Sequence, residues 1–252
     1  MNTHVSLFIP CLVDQFLPEI GTDTARLLEG LGVSVSYDPR QTCCGQPMIN
    51  AGRTDRAKPL ARRFIDIFYE ASKDGAVVAP SGSCVHTVTH HYPELLDGEY
   101  REKAQDLARR VYELSDYLVN VLGVTDVKSG FTGTVTYHHS CHIVRGLDIM
   151  AEPIALMDAV PGAQMLPLPD MDVCCGFGGE FSAGYPEISG AMVEDKVQKA
   201  IATGAEYLVL AEPGCILNIR GYVEKQGLPL KVLHLAQVLA DRGDAPGKEA
   251  AS

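Results

Sequence analysis

The sequence predicts an α/β protein of two related domains, each a small parallel sheet with flanking helices. Three observations carry that prediction. The eight cysteines form one spacing used twice: Cys11, the pair Cys43/Cys44 and Cys84 recur as Cys141, the pair Cys174/Cys175 and Cys215, each displaced by 130 or 131 residues. Such self-similarity at a fixed offset marks an internal structural repeat. Short apolar runs precede these cysteines, and segments with helical spacing lie between the runs.

In chain order, VSLFIP precedes Cys11, VSVSYDP the first pair and GAVVAP Cys84, while TVTYHHS, AQMLPLPD and EYLVLAEP hold the matching places in the second half. All six read as strands. Ala25, Leu27, Leu28 and Leu31 in the first half, and Ile154, Leu156 and Met157 in the second, have the spacing of one helix face. Strand–helix–strand alternation with short connections predicts parallel sheets. Ala104, Leu107, Ala108, Val111, Leu114, Leu118 and Val121 predict one amphipathic helix or two shorter ones. The string VYELSDYLV there is similar to VLHLAQVLA near residues 232–240, so each half is expected to end in a similar element. Glycines cluster and the apolar pattern stops in GVTDVKSGFTG. The expected units are therefore residues 1–128, residues 129–242 and a disordered tail, 243–252.

A net charge of −11, no lysine or arginine run and no tryptophan argue against a nucleic-acid surface. No apolar stretch approaches the roughly 18–20 residues that span a bilayer, so no direct membrane insertion is expected. The N-terminal MNTHVSLFIPC has neither a basic leader nor a long apolar segment, which predicts a cytoplasmic chain. In a reducing compartment, eight cysteines are expected to be metal ligands or redox thiols rather than a disulfide framework.

If the strands are parallel, their carboxyl ends form the edge where ligands bind in open α/β sheets, and three loops bring four cysteines of each half there. Four converging thiolates supply a complete iron–sulfur cluster or a tetrahedral zinc shell. Zinc modules usually draw ligands from pairs two to four residues apart, whereas the first-half intervals here are 32, 1 and 40 residues. Adjacent cysteines suit a multi-iron cluster, which offers each thiolate its own metal atom. Gly45 and Gly176, which close the two CCG strings, are expected to supply either positive φ or the room left by a missing side chain, as a backbone folding tightly round a cluster needs. A structural zinc module, a thiol–disulfide enzyme and simple burial of small apolar side chains are the competing readings.

His138, His139 and His142 surround Cys141, and His86, His90 and His91 follow Cys84. They are candidates for hydrogen bonding to a metal centre, proton transfer or ligation, or they are solvent-facing. Arg145, four residues after Cys141, is the one candidate carboxylate clamp. GFGG at 176–179 lacks the spacing of a dinucleotide fingerprint, and no GxxxxGK[ST] loop is present.

The strings TCCGQP, VCCGFGG, PSGSC, YHHSCH and AEPGC resemble the CCG-domain (cysteine-rich domain) iron–sulfur family. That family includes the cysteine-rich component of heterodisulfide reductase and the iron–sulfur components of glycolate oxidase and anaerobic glycerol-3-phosphate dehydrogenase. The resemblance runs from Cys11 to beyond Cys215. It implies an iron–sulfur electron-transfer component of a multi-subunit oxidoreductase, similar to a member of the three-component system that oxidises L-lactate to pyruvate. It also implies one cluster per half, [4Fe-4S] in type, held by Cys11, Cys43, Cys44 and Cys84 and by Cys141, Cys174, Cys175 and Cys215. The implied partners are the other iron–sulfur subunits of such a system, with a small organic acid as substrate. The fullest family motif closes with CxxC, giving five cysteines for a non-cubane cluster. Here Ser81 and Glu212 replace the first member of that closing pair. The expectation becomes a four-thiolate cluster or one with an oxygen ligand.

Overall fold

The computed structural model describes residues 4–243. Each half holds a four-stranded, all-parallel sheet. In the first, β1 (His4–Leu7), β2 (Ser34–Ser36), β3 (Ala76–Ala79) and β4 (Val111–Glu113) lie in the order β2-β1-β3-β4. In the second, β5 (Thr132–Tyr137), β6 (Gly162–Met165), β7 (Tyr207–Leu210) and β8 (Lys231–His234) repeat it as β6-β5-β7-β8. All six strands expected before the cysteines are present.

The central strands β3 and β7 are apolar on both sides because both sheet faces are covered there. In β1 and β3 the side chains alternate: Val5, Leu7, Ala76 and Val78 join one core cluster, while Val77 and Ala79, with Phe8 just past β1, join another. The first side is closed by helix Pro18–Gly30, which starts on a proline and buries Ile20, Thr24, Leu27 and Leu28 along one stripe. Helix Thr54–Ala71 closes the other through Ala61, Phe64 and Phe68, with Phe8 edge-on to Phe64 at 4.9 Å between ring centres.

Residues 98–121 take the second of the two expected forms, two shorter helices, with an unexpected strand between them. Helix Gly98–Leu107 is followed by β4 and then by the helical stretch Leu114–Val121. Val111 and Glu113 are buried beside β3, so sheet pairing overrides the helical spacing. β8, leading into helix Leu235–Ala240, is the matching strand of the second half. Glu113 and His234 then do the same job, each capping the helix that follows with a fully buried side chain.

These terminal elements are exchanged between halves. Leu235–Ala240 packs on helix Pro18–Gly30, and Leu114–Val121 packs on helix Ala151–Asp158. One core cluster consequently runs through both halves. The cysteine-bearing turns meet in the same crossed way: Gly82–His86 lies against His142–Gly146, and Cys11–Phe16 against Pro213–Gln226. Of the expected tail, residues 244–252 lie outside the described residues. No helix among the described residues is long and apolar enough to cross a membrane.

Candidate functional site

The crossed packing brings all eight cysteines to one cavity of about 270 Å³ between the halves. Burial repeats with the sequence. Cys44, Cys84, Cys175 and Cys215 are buried, while Cys11, Cys43, Cys141 and Cys174 are half-buried, and every one is a free thiol. Cys44 Sγ lies 3.3 Å from Cys84 Sγ, and Cys175 Sγ 2.9 Å from Cys215 Sγ.

The CCG turns explain how adjacent cysteines face one site. Gly45 and Gly176 both adopt φ +85°, in the left-handed region that favours glycine. Each then donates its backbone N–H to the first sulfur of its own pair, Gly45 to Cys43 and Gly176 to Cys174, at 3.4 Å in both cases. The carbonyl of the second cysteine is held from outside: the buried Tyr92 hydroxyl donates to Cys44 O at 2.8 Å and Asn218 Nδ2 to Cys175 O at 2.9 Å.

In both halves the first thiol of the pair is held well below the ordinary thiol range. Cys43 is held down to about 3 by hydrogen bonds from the Cys11 and Cys44 thiols. Cys174 is held to about 2 by those from Cys141 and Cys175. The donating thiols are pushed up correspondingly, with burial adding to the effect. Cys215 falls to about 6, chiefly because Cys175 donates to it. Each half thus offers a soft donor set in which negative charge is already favoured at one sulfur, and N–H groups point at that sulfur. This fits a thiolate-bound metal cluster: four sulfurs, hydrogen bonds to sulfur and a largely buried pocket.

Ser81 and Glu212, the positions that replace the fifth cysteine, line the same cavity and spend their polar atoms on each other and on Ser83. Glu212 caps helix Pro213–Gln226 and also reaches into the first half, accepting from the Ser83 backbone N–H at 2.8 Å and the Ser83 hydroxyl at 2.9 Å. Ser81 donates to the same carboxylate at 3.3 Å. These bonds make Glu212 a clasp between the halves.

The six histidines separate. His142 lines the cavity, with Nδ1 3.8 Å from Cys141 Sγ and Nε2 3.3 Å from Gln46 Nε2. His138 is fully buried, and its ring lies beside Cys175 and Cys215. His86 stacks on His90 at 4.6 Å, meets His91 edge-on and comes within 5.9 Å of His142. Burial, and then these neighbouring rings, push the His86 pKa down to about 4. His139 is likewise lowered by burial, and then by His138.

Arg145 is absent from the cavity lining. Its side chain is 62% exposed and holds the Asp172 carbonyl at 3.1 Å. Among the described residues lining the cavity none is arginine or lysine. Sequence reasoning missed Gln46, Asn50, Phe177 and Glu180 in this lining. The available signal was position, since Gln46 and Phe177 each directly follow a CCG string.

Fold and site together define a class: a tandem-repeat α/β protein whose two CCG loops face each other across a thiol-lined cavity. The chain belongs to the cysteine-rich (CCG) domain family, whose model matches residues 5–89 and 135–220, one copy per half. It is 45% identical over 237 residues to lactate utilization protein A of Halalkalibacterium halodurans, covering 93% of this chain and 96% of that protein. It is 43% identical to lactate utilization protein A of an Exiguobacterium species, covering 94% and 96%. Among solved structures, a hypothetical protein from Helicobacter pylori shares the fold with a TM-score of 0.56 at 11% identity. The match covers 98% of this chain, which spans about half, 51%, of that one.

Proposed function

We propose that the chain is the iron–sulfur electron-transfer component of a multi-subunit oxidoreductase that oxidises L-lactate to pyruvate. The observation that carries this reading is the convergence of two equivalent four-cysteine sets on one cavity. Cys11, Cys43, Cys44 and Cys84 hold one cluster, and Cys141, Cys174, Cys175 and Cys215 the other, each of the [4Fe-4S] type. When bound, such clusters supply one-electron transfer at potentials set by burial and by hydrogen bonds to sulfur. The chain supplies those bonds through Gly45 and Gly176.

The names of the relatives support lactate as the substrate. The partners in this reading are lactate utilisation proteins B and C in the cytoplasm. Because this chain has no CxxCxxCxxxC run, any further cubane clusters are carried by a partner. To a small organic acid the cavity offers the polar side chains of Gln46, Asn50 and His142 beside those of Ser81, Ser83, Glu180 and Glu212.

The test is reduction by substrate. The chain is combined with lactate utilisation proteins B and C under argon, and its visible absorbance is followed on adding L-lactate. Bleaching with L-lactate supports the proposal. Bleaching by dithionite but not by L-lactate in the complete mixture sinks it.

A further inference from the structure

The two halves share their cysteines but differ in what lies behind them. Aligned on Cys11 and Cys141, Phe8 of the first half corresponds to His138 of the second. Both side chains are fully buried just past the first strand of their sheet. Phe8 spends its position on packing, edge-on to Phe64 and Phe68. His138 brings two ring nitrogens to the same place.

One of those nitrogens is accounted for. Nδ1 lies 3.0 Å from the Met171 carbonyl oxygen, an atom that only accepts, so Nδ1 carries the hydrogen. In the neutral ring Nε2 then carries a lone pair, yet it has no hydrogen-bond partner and no exposure to water. A buried acceptor left in that state is costly, and native structures rarely keep one without a use. The His138 ring nitrogen, Cys175 Sγ and Cys215 Sγ lie within 4.8 Å of one another. With Nδ1 committed to the Met171 carbonyl, Nε2 is the nitrogen left to meet the sulfur donors, and a carbonyl on the other nitrogen is what fixes a ligating imidazole in its tautomer.

We infer that His138 Nε2 is a ligand to iron in the second-half centre, which takes four sulfur donors and one nitrogen while the first-half centre takes four sulfurs alone. This rests on the iron–sulfur reading above. It assigns the second half a fifth donor from a position that the closing CxxC of the family motif does not contain. The two centres are then chemically unlike, because imidazole brings a neutral ligand where thiolates bring charge.

The whole chain is purified without air after growth on ¹⁵N-histidine, its iron and acid-labile sulfide are measured, and pulsed electron paramagnetic resonance is recorded in the paramagnetic oxidation state. The expected result is a strongly coupled imidazole nitrogen. It is lost in His138→Phe, kept in His142→Ala and kept in Cys44→Ser, which removes the first-half centre. The isotope reads the coupling in the unsubstituted chain, so poor folding of His138→Phe does not hide the answer. Two clusters per chain with no histidine nitrogen coupling, or coupling that survives His138→Phe, overturns this inference and leaves the proposed function standing. Absence of iron and sulfide overturns both.

Discussion

Ser81 and Glu212 stand at the same place in the two repeats and hydrogen-bond to each other across the halves, with the Ser81 hydroxyl 3.3 Å from Glu212 Oε1. Glu212 also takes the Ser83 backbone N–H and hydroxyl. Removing the carboxylate leaves a buried N–H without an acceptor, the expensive direction for a hydrogen bond. Glu212→Ala is expected to cost about 3 kcal/mol of stability and Ser81→Ala about 1 kcal/mol. In a double-mutant cycle read by denaturant unfolding, the two changes are expected to be less than additive. Strict additivity would show that the bond carries no coupling between the halves.

Serine replacement of one cysteine at a time tests whether the centres are separate. Cys44→Ser and Cys175→Ser are each expected to lower iron and sulfide by about half, because each removes a buried soft donor from one set only. Loss of all iron from either variant would mean that one centre spans the cavity.

The two CCG glycines share φ +85° but not their surroundings. A Cβ on Gly45 would meet nothing nearer than Ala57 and Leu60 at 3.6 Å, whereas on Gly176 it would lie 2.9 Å from both Met192 Cβ and the Ser189 carbonyl oxygen. Gly45→Ala is expected to cost about 1–2 kcal/mol for the left-handed backbone. Gly176→Ala adds overlap with backbone and is expected to cost roughly twice as much. Thermal unfolding of the two variants checks the order, and equal losses would contradict it.

Glu113 and His234 predict a stability that falls on both sides of weakly acidic pH. Burial raises the Glu113 carboxyl to about 7 from an ordinary 4.5, so its contribution is complete below about 4.5 and is lost as pH rises through about 7. Burial lowers His234 to about 4 from 6.5, so its contribution is complete above about 6.5 and is lost as pH falls through about 4. Glu113→Gln is expected to flatten the alkaline limb and His234→Gln the acid limb. At pH 8 the Glu113 effect has an upper bound of about 3 kcal/mol. Unfolding midpoints across pH 4–8 measure it, and limbs unchanged by these variants would count against both assignments.

Much of the fold was legible because each of the six strands before a cysteine is a short apolar run ending where the chain must turn. β4 was not, since Val111 and Glu113 sit in a stretch whose apolar residues also fit a helix, and only pairing with β3 decides between them. The cysteine sets could be read from spacing. Their meeting in one cavity could not, because it depends on the exchanged packing of Leu235–Ala240 and Leu114–Val121 on the opposite half. His138 looked like its five companions in sequence. What sets it apart is the Met171 carbonyl on Nδ1 together with two thiols close to the ring.

Whether the two cysteine sets hold iron–sulfur clusters is read most directly from iron, zinc and acid-labile sulfide in protein purified without air. Two [4Fe-4S] clusters require about eight iron and eight sulfide per chain, with visible absorbance that bleaches on reduction. Stoichiometric zinc, no sulfide and a colourless, air-stable protein would contradict the account.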